Sequence, residues 1–421
     1  MKYSTRLLIL LAATWGMVGL ERMVIAFVMP GIQQDFKLTY TQVGEIISVF
    51  GFAWAIGTWA IGSLSDYLGR RLLLVVLTIF GGVCSWLTGI AGTFAFLLLV
   101  RTVMGFAEGG ISGPASATMA EESLPETRGR NLGLMTGCFV LIGGAVGPIL
   151  STRLMASLGW RPVFYIYAIP AVILGILLLL FMHEPASTAA VVKARKEGQR
   201  KRLDTQGREV NYADVFRNRN IILLIFAWTS QMVALWLFTT FAVMFLFKVH
   251  GFSLTTVGMI MTGYGLGGFF GTFGGGMVSD RIGRRIVMVL SLLIGGLFVI
   301  IFASLGRGTP LAILFMAVFL HALSSAGAAG TGWTMITESA GFYLAATAIG
   351  VVTGIGELVG GGILPTIGGG IADRFGLSTT LYVTGLILIA AGVLSFFLKE
   401  TLVRKDALRD DLMVRATEQK A

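Results

Sequence analysis

Apolar stretches long enough to cross a lipid bilayer follow one another along almost the whole chain, and they restrict the fold more than any single motif. The segment 286–305, for example, runs for twenty residues without a charge. Crossing a hydrocarbon core of about 30 Å takes roughly 20 residues of helix, each rising 1.5 Å. No water reaches the backbone there, so only helices or a closed barrel can span. Barrel strands alternate apolar and polar residues over short segments, whereas these runs are long and continuous. The chain is therefore read as an all-α membrane protein. Only 13% of its residues are charged and 55% are hydrophobic, against roughly 25% charged in a soluble domain, too little charge to cover a surface in water.

The runs predict spans over about 7–29, 43–65, 72–91, 94–119, 130–153 and 161–182, then 220–247, 256–279, 286–305, 309–335, 343–371 and 377–398. Twelve spans in two sets of six give an N-terminal bundle (1–182), a basic linker (183–219), a C-terminal bundle (220–398) and a tail (399–421). The start resembles a secretion signal, with Lys2 and Arg6 before an apolar run, but no small-residue cleavage site follows. It reads as an uncleaved first span. The linker carries nine Lys and Arg between Lys193 and Arg219. Loops rich in these residues stay in the cytoplasm, which places both termini there too. The net charge of +10 thus reports orientation in a bacterial inner membrane and not a nucleic-acid partner. Cys84 and Cys138 both fall in apolar segments and read as buried small hydrophobes, with no metal-ligand spacing.

An internal repeat organises the halves. Leu38-Thr39-Tyr40-Thr41-Gln42-Val43-Gly44 recurs as Phe252-Ser253-Leu254-Thr255-Thr256-Val257-Gly258. Gly62-Ser63-Leu64-Ser65-Asp66-Tyr67-Leu68-Gly69-Arg70-Arg71 recurs as Gly276-Met277-Val278-Ser279-Asp280-Arg281-Ile282-Gly283-Arg284-Arg285, at the same offset of 214. The second segment is a charged turn between spans. Asp66 and Asp280 can cap or pair at a facing helix N-terminus, where the dipole favours negative charge, while Arg70, Arg71, Arg284 and Arg285 hold the turns in the cytoplasm. Contacts of this modest energy can close a gate and open it again; the plainer alternative is a turn that only fixes topology.

Both turns resemble the signature loop of the major facilitator superfamily, between its second and third helices and again between its eighth and ninth. Leu99-Val100-Arg101-Thr102-Val103-Met104-Gly105 is similar to the family's fourth-helix motif, Pro125-Glu126-Thr127-Arg128-Gly129-Arg130 to the loop that follows, and Gly159-Trp160-Arg161-Pro162-Val163-Phe164 to the start of its sixth helix. The resemblance implies two pseudo-symmetric six-helix bundles, a central cavity lined by helices 1, 4, 7 and 10, and transport by rocking between two open states.

Charges inside spans are costly and mark candidate sites. Glu21 and Arg22 lie on the first span, Arg101 and Glu108 on the fourth. Arg101 and Glu108 are seven residues apart and share a helix face. Glu21 and Arg101 are each roughly 10–12 Å deep, so they could pair, with Glu108 about 10 Å further in. In the repeat, Glu21 and Arg22 fall near Leu235–Leu237, Arg101 at Phe315 and Glu108 near His321. The first half thus holds most of the charge. A forked, permanently ionised arginine suits a carboxylate or phosphate, and a carboxylate taken partly out of water becomes easier to protonate.

This acidic-plus-Arg pair on helix 1 with a Glu on helix 4 resembles the proton-coupled organic-anion symporters, although Glu-Arg stands where that group more often has Asp-Arg. By that resemblance Arg22 binds the substrate carboxylate, Glu21 and Glu108 couple protons, and the driving force is a proton gradient with no cofactor. A static salt-bridge network is the structural alternative, most of all for Arg101. Glu357 is a candidate second coupling site. His321, Trp236, Tyr264 and Trp333 are candidate substrate contacts, although packing explains each one singly. Gly263, Gly267, Gly271 and Gly275 form a close-packing stripe. The expected function is symport of a small organic anion, a carboxylate, sugar acid or aromatic acid, by a monomer. Two other readings stay open: drug efflux, from the partial antiporter motif Gly143–Pro148, and a non-transporting sensor. No nucleophile–base pair or phosphate loop suggests an enzyme.

Overall fold

The computed structural model describes residues 3–185 and 212–402. Outside it lie most of the expected linker and tail, and the side chains of 62–63, 65–67, 125–126, 212–214 and 341–347. Twelve helical segments follow: α1 (Tyr3–Phe36), α2 (Tyr40–Leu68), α3 (Arg70–Gly89), α4 (Phe94–Glu121), α5 (Thr127–Leu158), α6 (Trp160–Phe181), α7 (Arg219–Val249), α8 (Leu254–Ile282), α9 (Arg284–Ser304), α10 (Leu311–Ala340), α11 (Ala348–Phe375) and α12 (Leu377–Ser395). Eleven are long and apolar enough to cross a membrane; in α8 the glycines dilute the hydropathy. No strand occurs among the described residues.

Where two helices meet with a single residue between them, the chain needs a backbone angle that only glycine adopts freely. Gly69 (φ 89°) and Gly283 (φ 110°) make the turns before α3 and α9. Gly159 (φ 83°) and Gly376 (φ 89°) do the same before α6 and α12. The recurrence of these turns in both halves is the repeat expressed in backbone geometry.

The pairing of helices repeats as well. Helix α2 packs on α4 as α8 packs on α10, and α3 on α6 as α9 on α12. Between halves, α2 meets α11 as α8 meets α5. The central helices are buried all round, as expected of a helix with no solvent face: Gly16–Pro30 of α1 and Trp236–Leu246 of α7 have no exposed residue. The peripheral ones carry an exposed apolar stripe at helical spacing, as in Leu290, Ile294, Leu297 and Ile301 of α9 and Ile169, Ile173, Ile176 and Leu180 of α6. In water such surfaces would aggregate; in lipid they are the solvent-facing side.

The glycine stripe of α8 packs as its period implies. Gly263 meets Phe315, Gly267 meets Phe319, Gly271 meets Leu323 and Gly275 meets Gly327, each four residues further along α10. Two boundaries differ from expectation. A turn at Gly110–Ile111 interrupts α4. The helical pattern also continues from α10 into α11, over Leu311–Gly356. A straight helix would separate His321 and Glu357 by about 54 Å, yet they contact Phe238 and Trp236, two residues apart on α7. The segment therefore doubles back, and α10 and α11 remain separate spans.

Candidate functional site

Two charged clusters occupy the centre of the molecule, and adjacent residues of α1 separate them. Neighbours on a helix point about 100° apart, so Glu21 turns into its own half while Arg22 faces the other. A Cβ placed on Gly81 of α3 would lie 3.7 Å from a Glu21 oxygen and 3.6 Å from a Glu108 oxygen. The two carboxylates thus converge on one glycine. Both are buried, and both Glu108 oxygens and Oε1 of Glu21 have no hydrogen-bond partner. Arg101 supplies positive charge nearby, and its field acts on both. Its expected ion pair with Glu21 does not form; its guanidinium lies 4.2 Å from the centre of the Phe50 ring and donates to Met104 Sδ at 3.3 Å.

Arg22 has a more elaborate seat. Its guanidinium carbon lies 3.9 Å from the Trp54 ring centre and 4.5 Å from that of Trp236, with Phe50 at 5.7 Å. A cation between desolvated indoles gains about 2 kcal/mol or more from each favourable face. Nη2 also pairs with Oε1 of Glu357, and the same oxygen accepts Trp236 Nε1–H at 3.1 Å. Arg22 belongs to the first half and Glu357 and Trp236 to the second, so this contact bridges them. Trp54 and Phe50 are held in place by the close approach of α2 and α4: the carbonyls of Phe50 and Trp54 abut Gly105 and Gly109, where any side chain would intrude.

Of the other expected contacts, Tyr264 and His321 come together with Phe238 inside the second half. Phe238 lies 5.9 Å from Tyr264 and 4.4 Å from His321 between ring centres. His321 is fully buried, with Nδ1 3.0 Å from the carbonyl of Gly295 and Nε2 unpartnered. Trp333 stands apart: it is partly exposed and packs edge-on against Trp228. Cys84 is buried, while Cys138 is only partly so, and both are free thiols.

The charged turns follow a different plan from the one expected. The side chain of Asp66 lies outside the described residues. Asp280 does not cap a facing helix; it pairs with Arg284, one helical turn on. The capping carboxylates are Glu184 and Glu400, which follow the last helix of each half. Glu184 accepts from the backbone of Arg70 and Arg71 at 2.7 and 2.9 Å, and Glu400 from Arg284 and Arg285 at 2.9 and 3.1 Å. The arginines then reach sideways, Arg70 to Glu121 at 2.9 Å and Arg284 to Glu338 at 3.2 Å. Burial alone would raise the Glu400 carboxyl, but backbone N–H groups of Leu402, Arg284, Arg285 and Thr401 outweigh it and hold the group below the usual carboxylate range. The clue in the sequence is a glutamate just past the last apolar run of each half.

Further ties between the halves include several at the opposite end. Asp373, closing α11, accepts from the backbone of Tyr40 and Thr41 at 2.8 Å and from the Thr41 hydroxyl at 2.6 Å. Thr366 bonds Ser48 at 2.8 Å, and Thr262 reaches the Ala145 carbonyl at 3.3 Å. Gly144 of α5 and Gly265 of α8 meet backbone to backbone. The Asp373 contacts lie beside the α1–α2 turn, whereas Gly144 and Gly265 meet at the level of Met23, next to Arg22.

Two pseudo-symmetric six-helix halves around a buried pair of charge clusters define a multi-pass membrane transporter. The chain belongs to the Major Facilitator Superfamily, whose sequence model matches residues 11–258 and 231–415. Among its relatives are a probable sulfoacetate transporter of Cupriavidus necator, 28% identical over 91% of both chains, and a hexuronate transporter of Bacillus subtilis, 26% identical over 90% of this chain and 89% of that one. A 4-hydroxybenzoate transporter of Pseudomonas aeruginosa is 25% identical over 92% and 90%. A similar fold is seen in a bacterial homolog of the human lysosomal transporter Spinster, crystallised inward-facing and unoccupied: TM-score 0.80, 19% identity, 94% of this chain and 97% of that one.

Proposed function

We propose that this transporter carries a small organic anion together with protons by alternating access, importing the anion across a bacterial inner membrane. The observation that carries the reading is Arg22: a guanidinium clamped between two indoles at the boundary of the halves, already engaged by a carboxylate. A site that holds one carboxylate in this way has the charge and the forked donors to hold another. The relatives' names agree in chemistry, since sulfoacetate, hexuronate and 4-hydroxybenzoate all bear a carboxylate.

In this reading Glu21 and Glu108 carry the proton. They share a buried site within one half, with oxygens lacking partners, one residue along α1 from the anion's arginine. Proton and anion therefore bind on adjacent faces of a single helix turn. In this reading the basic turns face the cytoplasm, and the end bearing the α1–α2 turn faces outward.

Proteoliposomes under an imposed inward proton gradient test the proposal, with glucuronate, 4-hydroxybenzoate and sulfoacetate offered in turn. Wild type accumulates at least one of them, Arg22→Ala abolishes uptake, and Glu108→Gln loses gradient-driven accumulation while retaining exchange. Undiminished accumulation by Glu108→Gln, or uptake that survives Arg22→Ala, refutes the assignment.

A further inference from the structure

Glu357 has a position that transport of an anion alone does not require. One of its oxygens receives both Arg22 Nη2–H and Trp236 Nε1–H, the arrangement a bound carboxylate would take. Arg22 keeps Nε buried and without a partner, so the internal carboxylate leaves part of the guanidinium unused. Glu357 also opens a π-helical stretch, Glu357–Gly361, within α11. Such bulges place an extra residue in the helix and recur at functional sites. Here the stretch ends in Gly360 and Gly361, with Gly362 next, and these glycines bring it into close contact with α7 and α2.

We infer that Glu357 is a tethered stand-in for the substrate carboxylate, occupying Arg22 when the carrier is empty and displaced from it when the anion binds. The inference rests on the reading of Arg22 as the anion's partner. Its physical basis is the cost of an unpaired charge. An arginine stripped of its counter-ion in a dry interface is strongly unfavourable, whereas exchanging one carboxylate for another at the same guanidinium leaves no buried charge unpaired once the displaced Glu357 takes up one of the symported protons. An empty carrier must also rearrange to complete its cycle, moving Arg22 through the occluded centre. Glu357 neutralises it for that step, and the anion does so in the loaded one. The same carboxylate is then a competitor in binding and a necessity in the return.

These two consequences separate under substitution. Glu357→Gln keeps an oxygen for Trp236 but removes the charge. Binding is followed by isothermal titration with glucuronate, 4-hydroxybenzoate and sulfoacetate, and transport by substrate exchange and by net uptake in proteoliposomes. If the stand-in holds Arg22 nine-tenths of the time, removing it tightens binding about tenfold. Exchange, in which the carrier is always loaded, then persists, while net uptake falls by at least tenfold. The inference is overturned if Glu357→Gln binds no tighter than wild type, or if exchange and net uptake fall together. Should that variant not fold, Glu357→Asp carries the test: its charge is withdrawn by one methylene, and it must bind tighter than wild type. Arg22→Ala separates the two levels. If it leaves binding intact, or if neither wild type nor Glu357→Gln binds any probe, the anion site itself is misassigned. If it abolishes binding while Glu357→Gln gains nothing, only the stand-in role fails.

Discussion

Adding one methyl group where the halves touch changes which end of the transporter can close. Gly265 of α8 sits on Gly144 and Ala145 of α5, and a Cβ there would overlap the backbone of both. Backbone atoms inside a packed helix cannot rotate aside as a side chain does, so the helices must separate. Overpacking of this kind costs about 1–3 kcal/mol. In the proposed cycle the halves part at this seam when this end opens, so the cost falls only on the state in which it is shut. At 1.4 kcal/mol per factor of ten, Gly265→Ala shifts the balance between the two states about five- to more than a hundredfold towards opening. The shift is read by electron–electron resonance between spin labels at Gln34 and Ala312, exposed positions of opposite halves at this end, with Cys84 and Cys138 replaced by serine. The distance distribution moves to longer values and transport slows, since one station of the cycle is depopulated. If labels and transport are unchanged, α5 and α8 do not form the closing contact. If the variant fails to fold, the contact is a fixed part of the structure and the reasoning fails in a different way.

Three further outcomes follow from the scaffold. Gly267→Val drives a side chain into α10, where a Cβ already lies 2.9 Å from the Leu323 nitrogen and 3.1 Å from the Ala322 methyl group; it lowers Tm, by about 1–3 kcal/mol of stability or more. Gly274→Ala on the same helix meets nothing within 4 Å, so it leaves Tm unchanged or raises it through helix propensity. Glu400→Gln weakens the cap on α9, a loss of about 0.5–2 kcal/mol at neutral pH. Because the folded Glu400 carboxyl titrates below its ordinary range, its stabilisation is complete above the unfolded value of about 4.3 and disappears as pH falls through the folded one. The Tm difference between wild type and variant therefore narrows in acid; a constant difference across that window rules the cap out.

Spans, repeat and glycine stripe were legible in the sequence because each is a local pattern: apolar length, a fixed offset, a period of four. The charged residues of the site were legible as well, since ionisable groups in spans are rare enough to stand out singly. What they touch was not. Trp54 and Phe50 are ordinary apolar residues of an apolar helix, and nothing nearby in the chain marks them as the walls around Arg22. Glu357 lies 335 positions from its partner. Equal depth allows Glu21 to pair with Arg101, but the two do not bond, because depth fixes position along the bilayer normal and leaves rotation about the helix free. Glu184 and Glu400 lie beyond the spans, where a charge does not stand out.

The same geometry explains why charge is so unequal between two halves of common design. Arg22 and Trp236 are separated by 214 residues, the repeat offset itself, and their side chains meet 4.5 Å apart. Equivalent positions of a pseudo-two-fold structure touch one another only near its axis. A residue there faces its own counterpart, so any charge duplicated with the scaffold would meet a like charge in a dry interface, at heavy electrostatic cost. An anion site on the axis therefore requires the two copies to differ. One half keeps the arginine, and the other must present at that position something that attracts a cation without carrying a charge of its own. An indole face does this, and it leaves the arginine's charge free for a carboxylate arriving from elsewhere, whether Glu357 or a substrate. On the proposed function, the imbalance of charge visible in the sequence follows from placing a single charged ligand on the axis of a duplicated fold.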